Sequence, residues 1–136
     1  MTAVQYDLLT KRGRKVRAPA PSEFEIQATV VACLRRFARP GVLFFHTPNG
    51  GIREKREGAK FRAMGVRPGV ADLMFLHQGK VLFLELKRPG GRSSEAQIAF
   101  AADARAAGAD YEIRDSVTGA LSLLVERGML REGSYV

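Results

Sequence analysis

Apolar positions along this chain fall into a few short runs, and two adjoining runs in the middle are the most informative. Gly69-Val70-Ala71-Asp72-Leu73-Met74-Phe75-Leu76 and Lys80-Val81-Leu82-Phe83-Leu84-Glu85-Leu86-Lys87 are too short for buried helices and read as buried strands. His77-Gln78-Gly79-Lys80 reads as the turn between them. Upstream, Ser22 with Glu25 fits a helix-starting capping box after Pro21. The helix it starts runs to about Phe37, with Ile26, Val30, Leu34 and Phe37 as its inner stripe. Val42 to His46 is a short strand, Thr47 to Gly51 a loop, and Arg53 to about Met64 a further helix. Gly65 to Gly69 is irregular. After the hairpin and Arg88-Pro89-Gly90-Gly91, Ser93 or Ser94 caps a helix to about Ala107, which Gly108 ends. Tyr111 to Arg114 is a last strand and Ser116 to Arg127 a last helix. The order is α-β-(α)-β-β-α-β-α, which predicts one mixed α/β sheet with helices packed on it. Residues 22–136 form one domain by length, preceded by a basic arm over 1–21.

The hairpin register follows from its tip. With Gln78-Gly79 at the turn, His77 faces Lys80, Leu76 faces Val81, Met74 faces Phe83, and Asp72 faces Glu85. Directly opposed side chains have Cβ atoms roughly 5 Å apart, and two like charges so placed are destabilising unless a cation lies between them. Mg²⁺ or Mn²⁺ is the natural candidate, because Mg²⁺ is usually held by one or two carboxylates together with phosphate and water. The two-residue period puts Lys87 on the same face as Glu85, with Leu86 turned away. A one-residue slip would send Glu85 to the other face.

Composition sharpens the partner. The net charge is +8 and 46% of residues are hydrophobic, so the chain can bury a core and favours a polyanion, nucleic acid ahead of an anionic membrane. No segment approaches the ~20 apolar residues of a membrane span, and a cytoplasmic location is the expectation. Cys33 is the only cysteine, which excludes an internal disulfide and a cysteine zinc site and suits a small core residue.

Other candidates carry two readings each. Glu23 lies at helical spacing from Ile26, Gln27 and Val30, on the inward face, and is preferred as a third carboxylate over Glu25, which has the capping box to serve. Gln97 is the fourth residue of Ser94-x-x-Gln97, a capping box, yet shares a face with Phe100, Ala101 and Ala104 and can point at the sheet. His46 ends a strand, where structural roles prevail. Asn49, Gly50 and Gly51 form either a tight turn or a loop that lets a phosphate backbone approach. Arg53, Lys55, Arg56, Lys60, Arg62 and Arg67 form either a solvated face or a surface that positions nucleic acid. The apolar residues Leu121, Leu123, Leu124 and Val125 fit core or interface.

Asp72 followed by Glu85-Leu86-Lys87 resembles the PD-(D/E)xK nuclease motif. A longer ordered set is more specific: Phe45-His46-Thr47-Pro48-Asn49-Gly50-Gly51-Ile52-Arg53, Met64-Gly65-Val66-Arg67-Pro68-Gly69-Val70-Ala71-Asp72, Glu85-Leu86-Lys87-Arg88 and Ser94-x-x-Gln97. This set is similar to the VRR-NUC family over roughly residues 22–115. The family usually has proline before the aspartate, where this chain has Ala71. The resemblance implies a restriction-endonuclease-like fold, a mixed central sheet flanked by helices with an α-β-β-β-α-β core. It implies that Asp72, Glu85 and the Leu86 carbonyl bind the metal, with Lys87 and Gln97 completing the catalytic set, and that Glu23, with Ile26 and Val30 at the family's spacing, supplies the helix-borne carboxylate. It further implies likeness to Holliday junction resolvases, which act as dimers on branched DNA.

The expectation is therefore a Mg²⁺- or Mn²⁺-dependent DNA endonuclease that cuts four-way junctions as a homodimer. The rivals are a nuclease for flaps, nicked duplex, single strands or RNA, a non-catalytic nucleic-acid-binding module, and a protein-interaction subunit of a larger complex.

Overall fold

The computed structural model describes residues 19–48 and 55–133, the side chains of 55–57 excepted. The basic arm expected over residues 1–21 thus lies almost wholly outside the described residues. Helix α1 spans Glu23–Phe37 and strand β1 Leu43–His46. Helix α2 spans Lys55–Ala63, β2 Leu73–His77 and β3 Lys80–Leu86. Helix α3 spans Glu95–Ala106, β4 Asp110–Arg114 and α4 Val117–Glu126. The order matches the α-β-(α)-β-β-α-β-α expectation, and the architecture is a mixed sheet flanked by helices.

The four strands lie in the order β1-β2-β3-β4. The first two pairings are antiparallel and β3–β4 is parallel, with α3 as the crossover that a parallel pair requires. The hairpin turns on Gln78 and Gly79, with φ of 51° and 74°. Two successive positive φ values give the type I′ turn whose twist suits a two-residue hairpin. That turn sets the register His77↔Lys80, Leu76↔Val81 and Met74↔Phe83.

Register divides the sheet into two faces. Leu73, Phe75, Leu82, Leu84 and Leu86 form one face and are all at most 1% exposed. Ile26, Val30 and Leu34 of α1 and Leu121, Leu123 and Leu124 of α4 cover it. The α4 leucines are thus core, and Cys33 packs at the edge of the same cluster. On the opposite face Phe100, Ala101 and Ala104 of α3 pack with Ala71, Phe83 and Tyr111. Leu43, Phe45 and Leu76, at the β1–β2 end of that face, remain exposed.

The first run of the hairpin is shorter as a strand than its apolar pattern predicts. Regular pairing begins at Leu73, and Gly69–Asp72 approaches it as irregular chain. The cause is Gly69. It has φ +80°, and a Cβ there would overlap the Ala96 carbonyl group and lie 2.7 Å from Gln97 N. The backbone of this segment therefore rests directly on the first turn of α3. Arg67 fastens the same segment: its guanidinium lies 2.6 Å from Asp103 Oδ2 and 5.4 Å from the Phe100 ring centroid.

Gly69→Ala combines left-handed backbone strain with a backbone overlap that no rotamer can relieve. It should destabilise the protein by about 2 kcal/mol, a fall in melting temperature on the order of 5–10 °C by thermal unfolding. An unchanged melting temperature would show that the segment does not bear on α3.

Candidate active site

Asp72 stands one residue before β2, and the register of Leu73 opposite Leu84 continues to Asp72 opposite Glu85. Glu85 is 2% exposed and Lys87 7% exposed, two residues along the same strand face. Leu86 between them turns its side chain into the core. Its N–H donates to Asp72 Oδ2 at 2.8 Å. The backbone between Glu85 and Lys87 thus fixes the carboxylate that precedes β2.

Gln97 serves both roles that its position suggests. Its Oε1 accepts the Ser94 N–H at 2.9 Å, and its own N–H donates to Ser94 Oγ at 3.2 Å, which closes the capping box of α3. The same Oε1 accepts from Lys87 Nζ at 2.7 Å, while Nε2 donates to Glu85 Oε1 at 3.0 Å. Lys87 Nζ is also 3.8 Å from Glu85 Oε1. One amide therefore holds the carboxylate and the ammonium in fixed relation, and the helix cap holds the amide.

Glu85 Oε2 is buried and has no hydrogen-bond partner. Burial, and then the neighbouring Asp72 carboxylate, raise the Glu85 carboxyl from 4.5 to about 8, with Lys87 pulling the other way. The donor set suits a hard divalent cation: two opposed carboxylates, one with a free buried oxygen, and a nearby backbone carbonyl at Leu86. Among the described residues no group of three or more His, Cys, Asp and Glu side chains is placed to hold a metal. Mg²⁺ and Mn²⁺ tolerate such a small protein set, because water and phosphate fill the remaining positions.

The helix-borne carboxylate differs from expectation. Glu23 is exposed, as is Glu25, and neither joins Asp72 and Glu85. Glu23 lies one turn before Ile26, so it continues the inner stripe on paper. In space that first turn projects past the packed part of the core, which begins at Ile26. The capping box at Ser22 is also only half formed: Ser22 Oγ accepts the Glu25 N–H at 3.1 Å without a return bond from the Glu25 carboxylate.

The basic residues separate into groups. Asn49, Gly50, Gly51 and Arg53, and the side chains of Lys55 and Arg56, lie outside the described residues. Lys60 and Arg62 are exposed on α2. Arg67 is tied to Asp103, a structural use of its charge that the sequence reading did not foresee.

The structure adds three residues. His46 Nδ1 lies 2.6 Å from the Asp72 carbonyl oxygen, which can only accept, so Nδ1 donates. Gln27 Nε2 of α1 lies 2.9 Å from the same nitrogen, which places α1 beside this contact. Tyr111 is buried on the Glu85 face of the sheet. The period of two in β4 gave a signal for Tyr111, since it aligns with the Phe83 side, whereas nothing local marks the His46 contact.

The fold and this arrangement define a restriction-endonuclease-like α/β domain with a paired-carboxylate site. Among solved structures the chain is similar to a VRR_NUC domain protein, with 20% identity and a TM-score of 0.63 over 79% of this chain and 88% of that one. The chain therefore has the fold of a VRR-NUC domain. No protein-family model and no curated protein matches the sequence.

The raised Glu85 carboxyl has a definite sign for stability. The folded state holds the proton more tightly than the unfolded chain, so the favourable contribution is complete below pH 4.5 and is lost as pH rises through about 8. Without divalent cations the melting temperature should fall across this window, and Glu85→Gln should remove that component. An equal fall in the Gln variant would place the pH dependence elsewhere.

Proposed function

We propose that this chain is a Mg²⁺- or Mn²⁺-dependent, structure-specific DNA endonuclease that resolves four-way junctions as a homodimer. The observation that carries the reading is the buried corner itself. Glu85 Oε2 is buried with no hydrogen-bond partner, while Gln97 orients both Glu85 and Lys87. Asp72, Glu85 and the Leu86 carbonyl are the groups that would hold the cation.

A bound divalent cation offsets the two negative charges and polarises a phosphodiester for in-line hydrolysis. The chain's own residues do the rest. Leu86 N–H keeps Asp72 aimed across the strands. Lys87 presents a desolvated positive charge on the same face, where it stabilises a phosphoryl oxygen or orients the attacking water. Gln97 prevents Lys87 from collapsing fully onto Glu85, holding the two charges 3.8 Å apart. The net charge of +8, with Lys60 and Arg62 exposed, supports a nucleic-acid substrate. A DNA substrate also favours a cytoplasmic location, and among the described residues no helix is long and apolar enough to cross a membrane. The uncovered apolar corner at Leu43, Phe45 and Leu76 supports a second copy as the partner, with two-fold symmetry supplying paired cuts.

A panel of labelled four-way junction, flap, nicked, single-stranded and linear substrates with Mg²⁺ or Mn²⁺ tests the reading. Symmetrical paired nicks on the junction are expected, and Asp72→Asn or Glu85→Gln should lower the rate by at least about 100-fold while DNA binding persists. Preferred cutting of a flap would replace junctions as the substrate. Unchanged cleavage by both variants would remove the chemistry from this corner. A wild type that binds DNA with steep salt dependence but never cuts would leave a binding module.

The dimer has its own readout. Light scattering of the wild type should give twice the chain mass, and Phe45→Glu should shift it to the monomer without a loss of helix content. A monomeric wild type at micromolar concentration excludes the homodimer.

A further inference from the structure

Two buried side-chain polar atoms among the described residues have no hydrogen-bond partner, Glu85 Oε2 and the Tyr111 hydroxyl. They belong to the same face of the sheet, because Tyr111 aligns with Phe83 and Glu85 follows two residues later on β3. Tyr111 is 3% exposed. Its ring is held between Phe100, at 6.1 Å between centroids, and the Arg105 guanidinium, 5.4 Å from its centroid. Arg105 also donates to the Tyr111 carbonyl at 3.2 Å. The hydroxyl therefore cannot swing to solvent to find a partner.

Burial raises the phenol to about 12, and the charges of Glu85 and Asp72 add to the effect. Tyr111 is thus a protonated donor at any working pH and lies within electrostatic reach of both carboxylates. A buried donor and a buried acceptor that both lack partners and share one face are complementary. Phenylalanine would fill the same space with no unpaired group. A water that bridged them would have two polar partners, the minimum such a position requires.

We propose that Tyr111 is a positioning residue of the cation site, its hydroxyl bridged by one ordered water to Glu85 Oε2 so that the ionised carboxylate keeps a fixed orientation. The proposal rests on the cation-site reading and extends it to a residue on β4. Groups that orient a ligand in this way typically change metal affinity by 10–100-fold when removed.

The test is calorimetric titration of Mn²⁺ into wild type and Tyr111→Phe at pH 8.5, with the cation-free melting temperature of each. The Phe variant should bind Mn²⁺ about tenfold more weakly, with a melting temperature no lower than wild type. Equal Mn²⁺ affinity overturns the proposal, as does a wild type that binds no Mn²⁺. A variant whose affinity and melting temperature fall together also overturns it, because the hydroxyl would then be structural. If the Phe variant loses affinity but no DNA substrate is cut by wild type, the nuclease reading fails and the positioning role stands.

Discussion

Two carboxylates share one buried corner of the sheet, and much of the surrounding structure answers their mutual repulsion. Asp72 and Glu85 oppose each other because a two-residue turn at Gln78 and Gly79 leaves no freedom in register. Leu86 N–H satisfies one carboxylate, and the Gln97 amide satisfies part of the other. Lys87 supplies one compensating charge, and the start of α3 adds the favourable end of a helix dipole. These are not enough to keep both carboxylates ionised near neutrality, as the raised Glu85 carboxyl shows. The folded chain retains an electrostatic tension that a divalent cation is well suited to relieve.

Most of the fold is legible in the sequence because local and long-range signals agree. The stripe of Ile26, Val30 and Leu34, the alternation along β3 and the serine caps at Ser94 and Ser116 each specify an element, and each element appears. The differences arise where periodicity is extended beyond the packed core. Glu23 sits in phase with Ile26, but phase predicts direction and not the presence of a covering layer. Likewise Gly69–Asp72 has a strand's apolar pattern, yet its backbone is fixed by contact with Ala96 and Gln97, about 27 residues further on. No short window contains both sides of that contact.

The candidate site divides in the same way. Asp72, Glu85 and Lys87 follow from register, Gln97 joins them through the family resemblance, and the structure brings all four into one hydrogen-bonded group. Capping and site roles are not alternatives for Gln97, since one carbonyl oxygen accepts from Ser94 and Lys87 together. The roles of His46 and Tyr111 are only partly legible in the sequence, for opposite reasons. His46 acts on the backbone of Asp72, a contact without a side-chain signature. Tyr111 reads as an ordinary aromatic core residue, and only the missing partner of its hydroxyl sets it apart. Arg67 shows the reverse error: in a run of basic residues it looks available to phosphate, but Asp103 and Phe100 hold it.

The unequal covering of the two sheet faces explains why chemistry can sit at this corner. The face toward α1 and α4 is closed by leucine, isoleucine and valine and gives the domain its rigidity. Among the described residues the opposite face is covered where α3 crosses β3 and β4, through Phe83, Phe100 and Tyr111. Glu85 and Lys87 emerge beside that partial cover, so they are desolvated by the protein while Asp72 remains half-buried at the opening. Full closure would exclude any ligand from the corner, and full exposure would let water screen its charges. The segment from Arg67 to Gly69 keeps this balance by pinning the start of α3 against the approach to Asp72. Its glycine and its arginine thus bear on the corner through α3. A loss of the Gly69 contact would therefore reach Gln97, and through it Glu85 and Lys87, together with the stability of the fold.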